Sequence, residues 1–153
     1  MSVFGAYMGG KKRREQDDMM NMLSQYGQQS SPLSGYGDLQ SAFSAVESGG
    51  RYDAVGPETG KGRAYGKYQV MDFNIGPWTE EILGRRMSVD EFLASPEAQD
   101  AVFNAKMRDY TNRYGTVEDA ASMWFSGRPY AGNNRSDGYL TVPQYVSRVM
   151  EGL

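Results

Sequence analysis

Glu47 is the residue in this sequence whose setting points most directly to chemistry. It follows Val46, lies one helical turn after Phe43, and is followed by Ser48, Gly49 and Gly50. That spacing puts a carboxyl at the edge of an apolar helix face, close to where two glycines stop the helix. Burial disfavours the charged form of a carboxyl, and the negative end of a helix repels it. Both effects predict an acid that is still protonated near neutral pH, which suits general-acid attack on a glycosidic oxygen. Most glutamates near helix ends are simply solvated, so the case depends on what surrounds this one.

Composition removes many alternatives. The chain has 153 residues, 39% of them hydrophobic, which suits one domain with some chain to spare. A formal net charge of -3 gives no general pull toward nucleic acid or an anionic membrane. There are no cysteines and no histidines. That excludes disulfides, thiol nucleophiles, Ser-His-Asp triads and nearly every zinc site, so no metal or cofactor is expected. Acid–base chemistry is left to Asp, Glu, Lys or Tyr. No apolar run reaches the roughly 18 residues needed to span a bilayer, so no membrane span is expected. The N-terminus is expected to carry no signal peptide, because the charged run "KKRREQDD" comes too early. Eleven tyrosines and two tryptophans suit a core first and sugar-stacking platforms second.

The elements that must position Glu47 read as helices. Residues 1–37 read as a separate tail or docking segment: a basic run, an expected short amphipathic helix carrying Met19, Met22, Leu23 and Tyr26, and a Gly/Ser linker. A methionine-rich face suits adaptable binding to a partner protein. The domain proper spans 38–153. Leu39, Ala42, Phe43 and Val46 make the first helix face, which Gly49–Gly50 end. Pro77 opens a short helix with Trp78, Ile82 and Leu83, which Gly84 ends. Ser88 and Glu91 form a capping box. Ser95–Pro96 starts the longest helix, which runs to Tyr114 and stops at Gly115. It has two apolar rows, Ala98/Ala101/Val102/Ala105 and Phe103/Met107/Tyr110/Tyr114, so it should be buried on more than one side. Thr116 caps a helix containing Val117, Ala120, Ala121 and Trp124. Thr141 and Gln144 box the last, with Val142, Tyr145, Val146, Val149 and Met150 facing inward. Strand alternation is at most brief, near Ala64 to Val70. The expected fold is mainly α, with irregular loops and at most a minimal β element.

Four motifs then occur in order: "ESGG", "RAYGKYQVM", "AASMWFSG" and "TVPQYVSRV". Together they resemble the soluble lytic transglycosylase (SLT) family, which shares the goose-type lysozyme-like core. Glu47–Ser48 matches the first element of the family pattern. Asp53–Ala54–Val55 fits the polar step after it. Ala64, Gly66 and Gln69 match the second element, and Thr141 with Tyr145–Val146 the last. The likeness covers about residues 38–150. The segments "GRAYGKYQVMDFNIGPWT" and "WFSGRP" look like the version found in many phage and prophage proteins. There are two departures. The Ala-Tyr-Asn element reads Met123–Trp124–Phe125, so an indole replaces a tyrosine hydroxyl that in the family sits near the acid; Tyr145 could supply the missing hydroxyl. The Glu47–Gln69 loop is also longer, with the extra residues in "PETGKG".

The resemblance implies a lytic transglycosylase that cleaves between MurNAc and GlcNAc with Glu47 as its single acid and then base. Ser48 and Gln69 would bond the glycan or hold the loop. Tyr68 and Met71 would line the groove, Trp124 would pack against a sugar, and Tyr145 would approach the acid. Arg63, Lys67 and Arg128 could meet carboxylates of peptidoglycan. It further implies peptidoglycan strands as substrate and a place in a phage virion, in its tail or interior, acting on the host wall, with residues 1–37 tethered to other virion proteins. A muramidase using a second acid such as Asp53 or Asp72 is the nearest alternative. A virion structural or ejection protein that keeps the fold with little activity is the other.

Overall fold

The structure, a computed structural model, describes residues 35–153, so the expected helix around Met19 to Tyr26 lies outside the described residues. The fold is mainly α. In chain order it runs α1 (Gly35–Glu47), β1 (Ala64–Tyr65), β2 (Val70–Met71), α2 (Asp72–Leu83), α3 (Val89–Leu93), α4 (Pro96–Tyr114), α5 (Val117–Ser126) and α6 (Val142–Glu151). The two short strands are antiparallel, with Ala64 opposite Met71 and Tyr65 opposite Val70. None of the described helices is long and apolar enough to cross a membrane.

Local chemistry sets most helix ends. Ser95 and Thr116 accept backbone N–H groups from Ala98 and Asp119 at the starts of α4 and α5. Ser88 with Glu91, and Thr141 with Gln144, form complete capping boxes on α3 and α6. Gly84, Gly115 and Gly127 end α2, α4 and α5 in the left-handed conformation.

Helix α4 separates two cores. Its Phe103, Met107 and Tyr110 side packs with Leu39, Phe43, Ala120, Ala121, Tyr145 and Val149, which joins α1, α5 and α6. Its Ala98, Ala101 and Val102 side packs with Val70, Ile75, Leu83 and Phe92, which joins β2, α2 and α3. The two apolar rows are thus two buried faces, each removing side chains worth roughly 1.5–3 kcal/mol apiece from water. Trp124 packs against both clusters.

Three expectations need correction. Helix α2 begins at Asp72, so Pro77 lies inside it. Proline there removes the donor that would bond the Phe73 carbonyl, a local loss offset by burying Ile75, Gly76 and Thr79. Helix α1 begins at Gly35, ahead of Asp38, because glycines weakly disfavour helical backbone without forbidding it. Met150 is exposed on α6, since the inward row is completed by Val142, Tyr145, Val146 and Val149.

The turn between the strands depends on Gly66. Its φ is +87°, and a Cβ at this position would overlap Oε1 of the buried Gln99. Its N–H donates to the Ala54 carbonyl at 2.7 Å, tying the preceding loop to the turn. Gly66→Ala should therefore lower stability by about 1–3 kcal/mol, read as a shift in the urea midpoint with little change in slope. A midpoint within error of wild type would contradict this account of the turn.

Candidate active site

Glu47 is the last residue of α1, and its carboxyl meets the side chain of Tyr145 from α6. The Tyr145 hydroxyl donates to Glu47 Oε2 at 2.6 Å, a short, charge-assisted geometry when the carboxyl is ionised. Tyr145 is 1% exposed and is held between two rings. Phe125 stacks on it with centroids 4.5 Å apart, and Phe43 meets it edge-on at 6.3 Å. The hydroxyl that Met123–Trp124–Phe125 lacks thus reaches Glu47 from the last helix. The replaced positions still take part: Phe125 braces Tyr145, and the Trp124 indole N–H acts on Glu47 while donating to the Tyr68 carbonyl at 3.2 Å.

Glu47 as a residue keeps part of its surface open, while its carboxyl is enclosed by protein. Burial pushes its pKa up to about 7 from an ordinary 4.5, and repulsion from Asp137 adds to the rise. The Tyr145 and Trp124 hydrogen bonds act in the opposite sense and are outweighed. Burial also drives the Tyr145 hydroxyl well above its ordinary range, with the Glu47 charge adding to it, so at neutral pH this hydroxyl is a donor and not a base. The arrangement provides an acid poised near neutrality on a rigid support.

Other expected site residues fall in three groups. Ser48 and Gln69 are used inside the fold. The Ser48 hydroxyl donates to the Lys67 carbonyl at 2.7 Å and accepts the N–H groups of Gly50 and Arg51. Gln69 takes the left-handed φ of 55° and donates to the Gly66 carbonyl at 3.0 Å, so it braces its own turn. Tyr68 is not part of a groove wall. It is 1% exposed, stacks on Phe103 at 4.1 Å and donates its hydroxyl to Asp100. Met71 and Trp124 remain half-buried, Met71 as the N-cap of α2 and Trp124 beside Glu47.

Among the carboxylates weighed as a second acid, Asp72 accepts the N–H groups of Arg63 and Phe73 and stabilises the start of α2. Asp53 is exposed. The carboxylate whose charge does act on Glu47 is Asp137, which sequence reasoning missed. It lies on the loop between α5 and α6, where one of its oxygens accepts the N–H groups of Tyr139 and Leu140, each at 2.8 Å. Its only sequence signal was the turn-like "SDGY". Among the described residues there is no acidic cluster suited to a metal ion.

No protein-family model, curated protein or solved structure matches this chain. The SLT likeness therefore rests on the four motifs, and the site stands on its own geometry.

The raised pKa of Glu47 fixes the sign of a pH effect. Between pH 4.5 and about 7 the native carboxyl holds a proton that the unfolded one has released. Stability should therefore fall as pH rises through this window, by about 3 kcal/mol in total. Glu47→Gln should remove that decline, matching wild type in urea unfolding near pH 4 and exceeding it near pH 8. Parallel curves for the two proteins would refute the raised pKa. In a second measurement, carboxyl-carbon NMR, Tyr145→Phe should move the Glu47 midpoint above that of wild type, because the lost hydrogen bond favours the charged form.

Proposed function

We propose that this protein is a peptidoglycan lytic transglycosylase that cleaves the MurNAc-β-1,4-GlcNAc bond and leaves 1,6-anhydro-MurNAc ends. The observation that carries the reading is the Glu47 carboxyl, enclosed at the end of α1, bonded by Tyr145 and poised near neutral pH. An acid with a pKa of about 7 can give a proton to the glycosidic oxygen and take one back at the same pH. In the proposed reaction Glu47 protonates the leaving GlcNAc oxygen as the C1–O bond breaks. The N-acetyl group of the MurNAc stabilises the positive charge at C1. The Glu47 carboxylate then takes the proton of the C6 hydroxyl, and that oxygen closes on C1. The proton returns to Glu47 and no water is consumed. Tyr145 supports the second half, because its hydroxyl stabilises the carboxylate form.

The phage-like segments "GRAYGKYQVMDFNIGPWT" and "WFSGRP" support a place in a phage virion, opening the host wall locally during genome entry. In that setting residues 1–37 would tether the domain to neighbouring virion proteins. A hydrolytic outcome at the same bond is the second reading, and Asp137 favours it, since a second carboxylate whose charge acts on Glu47 could hold a water.

Mass spectrometry of products from purified peptidoglycan, with wild type beside Glu47→Gln, separates these readings. Anhydro-muropeptides from wild type, reduced at least about 100-fold in Glu47→Gln, are expected. Reducing muropeptides would move the assignment to a muramidase. Equal, negligible release by both proteins would favour a structural or ejection role.

A further inference from the structure

Asp100, on α4, holds the stretch whose carbonyls bond Ser48 and Trp124, the residues that flank Glu47 in sequence and in space. Each of its carboxylate oxygens takes one tyrosine hydroxyl: Tyr52 on Oδ2 at 2.8 Å and Tyr68 on Oδ1 at 2.6 Å. Tyr52 comes from the long loop that follows α1, and Tyr68 from the turn between β1 and β2. Lys67 closes the group. Its ammonium donates to the Tyr52 hydroxyl at 3.3 Å and lies over the rings of Tyr52 and Tyr68, at 4.6 and 5.6 Å from their centroids. The preceding helix residue, Gln99, adds main-chain anchors. Its Oε1 accepts the Lys67 N–H at 2.8 Å, and its Nε2 donates to the Tyr52 carbonyl at 3.1 Å.

The other side of this short stretch bonds two residues that adjoin the acid. The Lys67 carbonyl accepts the Ser48 hydroxyl, and Ser48 is the residue after Glu47. The Tyr68 carbonyl accepts the Trp124 indole N–H, which also acts on the Glu47 carboxyl. Residues 67 and 68 therefore lie between two anchors, with Asp100 and Gln99 behind them and Ser48 and Trp124 in front.

We infer that Asp100 is a positioning residue for Glu47: by fixing Tyr68 and Tyr52 it sets where the Tyr68 and Lys67 carbonyls stand, and so how Trp124 and Ser48 frame the carboxyl. This rests on Glu47 being the reacting acid, as proposed above, although the geometry itself does not. An ionised carboxylate can accept from two phenols at once, and such bonds are short and strong. Asparagine of the same shape carries no charge and has one acceptor oxygen and one donor nitrogen, so it accepts from one hydroxyl only and must turn the other from donor to acceptor, which loosens the hold on Tyr68. With Tyr68 released, the indole N–H is free to turn fully onto Glu47 and water can enter. Both changes favour the charged carboxyl. The other groups that face Glu47, Tyr145 from α6 and Asp137 from the loop, are left as they are.

The test is carboxyl-carbon NMR titration of the full chain, with the Glu47 signal assigned through Glu47→Gln. Asp100→Asn should lower the Glu47 midpoint by at least about one pH unit, a tenfold change in proton affinity. Tyr52→Phe, which keeps the ring beneath Lys67 and loses the hydroxyl's bonds to Asp100 and Lys67, should lower it by less in the same direction. On peptidoglycan, kcat for Asp100→Asn should fall about tenfold with KM within about twofold. A folded Asp100→Asn whose Glu47 titrates as in wild type overturns the inference, even if its melting temperature has dropped. If Asp100→Asn does not fold, Tyr52→Phe decides by the same criterion. Absence of products from wild type would sink the proposed activity and leave the titration to decide this inference.

Discussion

A long loop with almost no regular structure has to find partners for its backbone groups, and the site depends on how it does so. The segment between α1 and β1 contains only isolated bridges, such as Val55 with Tyr65 and Thr59 with Gly62. Buried N–H and C=O groups left unpaired would each cost a large fraction of the stability of a domain this size. One turn of α4 ties this loop to the β1–β2 turn and to the end of α3. Gln99, 1% exposed, bonds the Lys67 N–H and the carbonyls of Tyr52, Phe92 and Leu93. An amide and a carboxylate on a core helix are tolerable only when so fully satisfied. Once they are, an irregular segment becomes as fixed as the helix it is tied to.

That rigidity lets the site hold a group the fold would otherwise reject. The Glu47 carboxyl is held in a poorly solvating position by the end of α1, the aromatic bracket around Tyr145 and the indole of Trp124. Each bracket is itself packed in a core: Phe43 and Phe103 meet edge-on at 5.1 Å, and Phe103 meets Trp124 at 5.2 Å. Stability and acidity are therefore opposed at one atom group. The burial that raises the pKa is the burial that makes the ionised state costly.

Much of the fold was legible from sequence because short-range chemistry sets it. Ser88, Ser95, Thr116 and Thr141 cap helices where their hydroxyls can reach free N–H groups, and glycines end three of them. The two rows of α4 correctly marked a helix buried on both sides. Glu47 stood out because its place at the edge of an apolar face coincides with the ordered motifs around it. The roles of Ser48, Gln69 and Tyr68 were not, because the same residue types serve a glycan or a loop equally well, and only distances separate the two uses. Pro77 misled because a helix-start preference was read without the preceding turn. Asp100 and Gln99 did leave a signal that went unread: both are polar residues next to the inward rows of the longest helix, where solvent-facing side chains are not expected. Asp137 left almost none, since its effect on Glu47 depends on how a loop folds back.

The chain has two tryptophans, and their rings lie 5.6 Å apart at a 46° tilt. Trp124 borders Glu47, and Trp78 carries the Lys106 ammonium 4.4 Å from its ring centroid. All indole fluorescence therefore originates at one place, beside a titrating carboxyl on one side and a fixed cation on the other. Two chromophores so close couple electronically, so their dichroism changes if either ring turns. The protein thus carries its own optical probe of the site, one that reports ring geometry and carboxyl charge without any label.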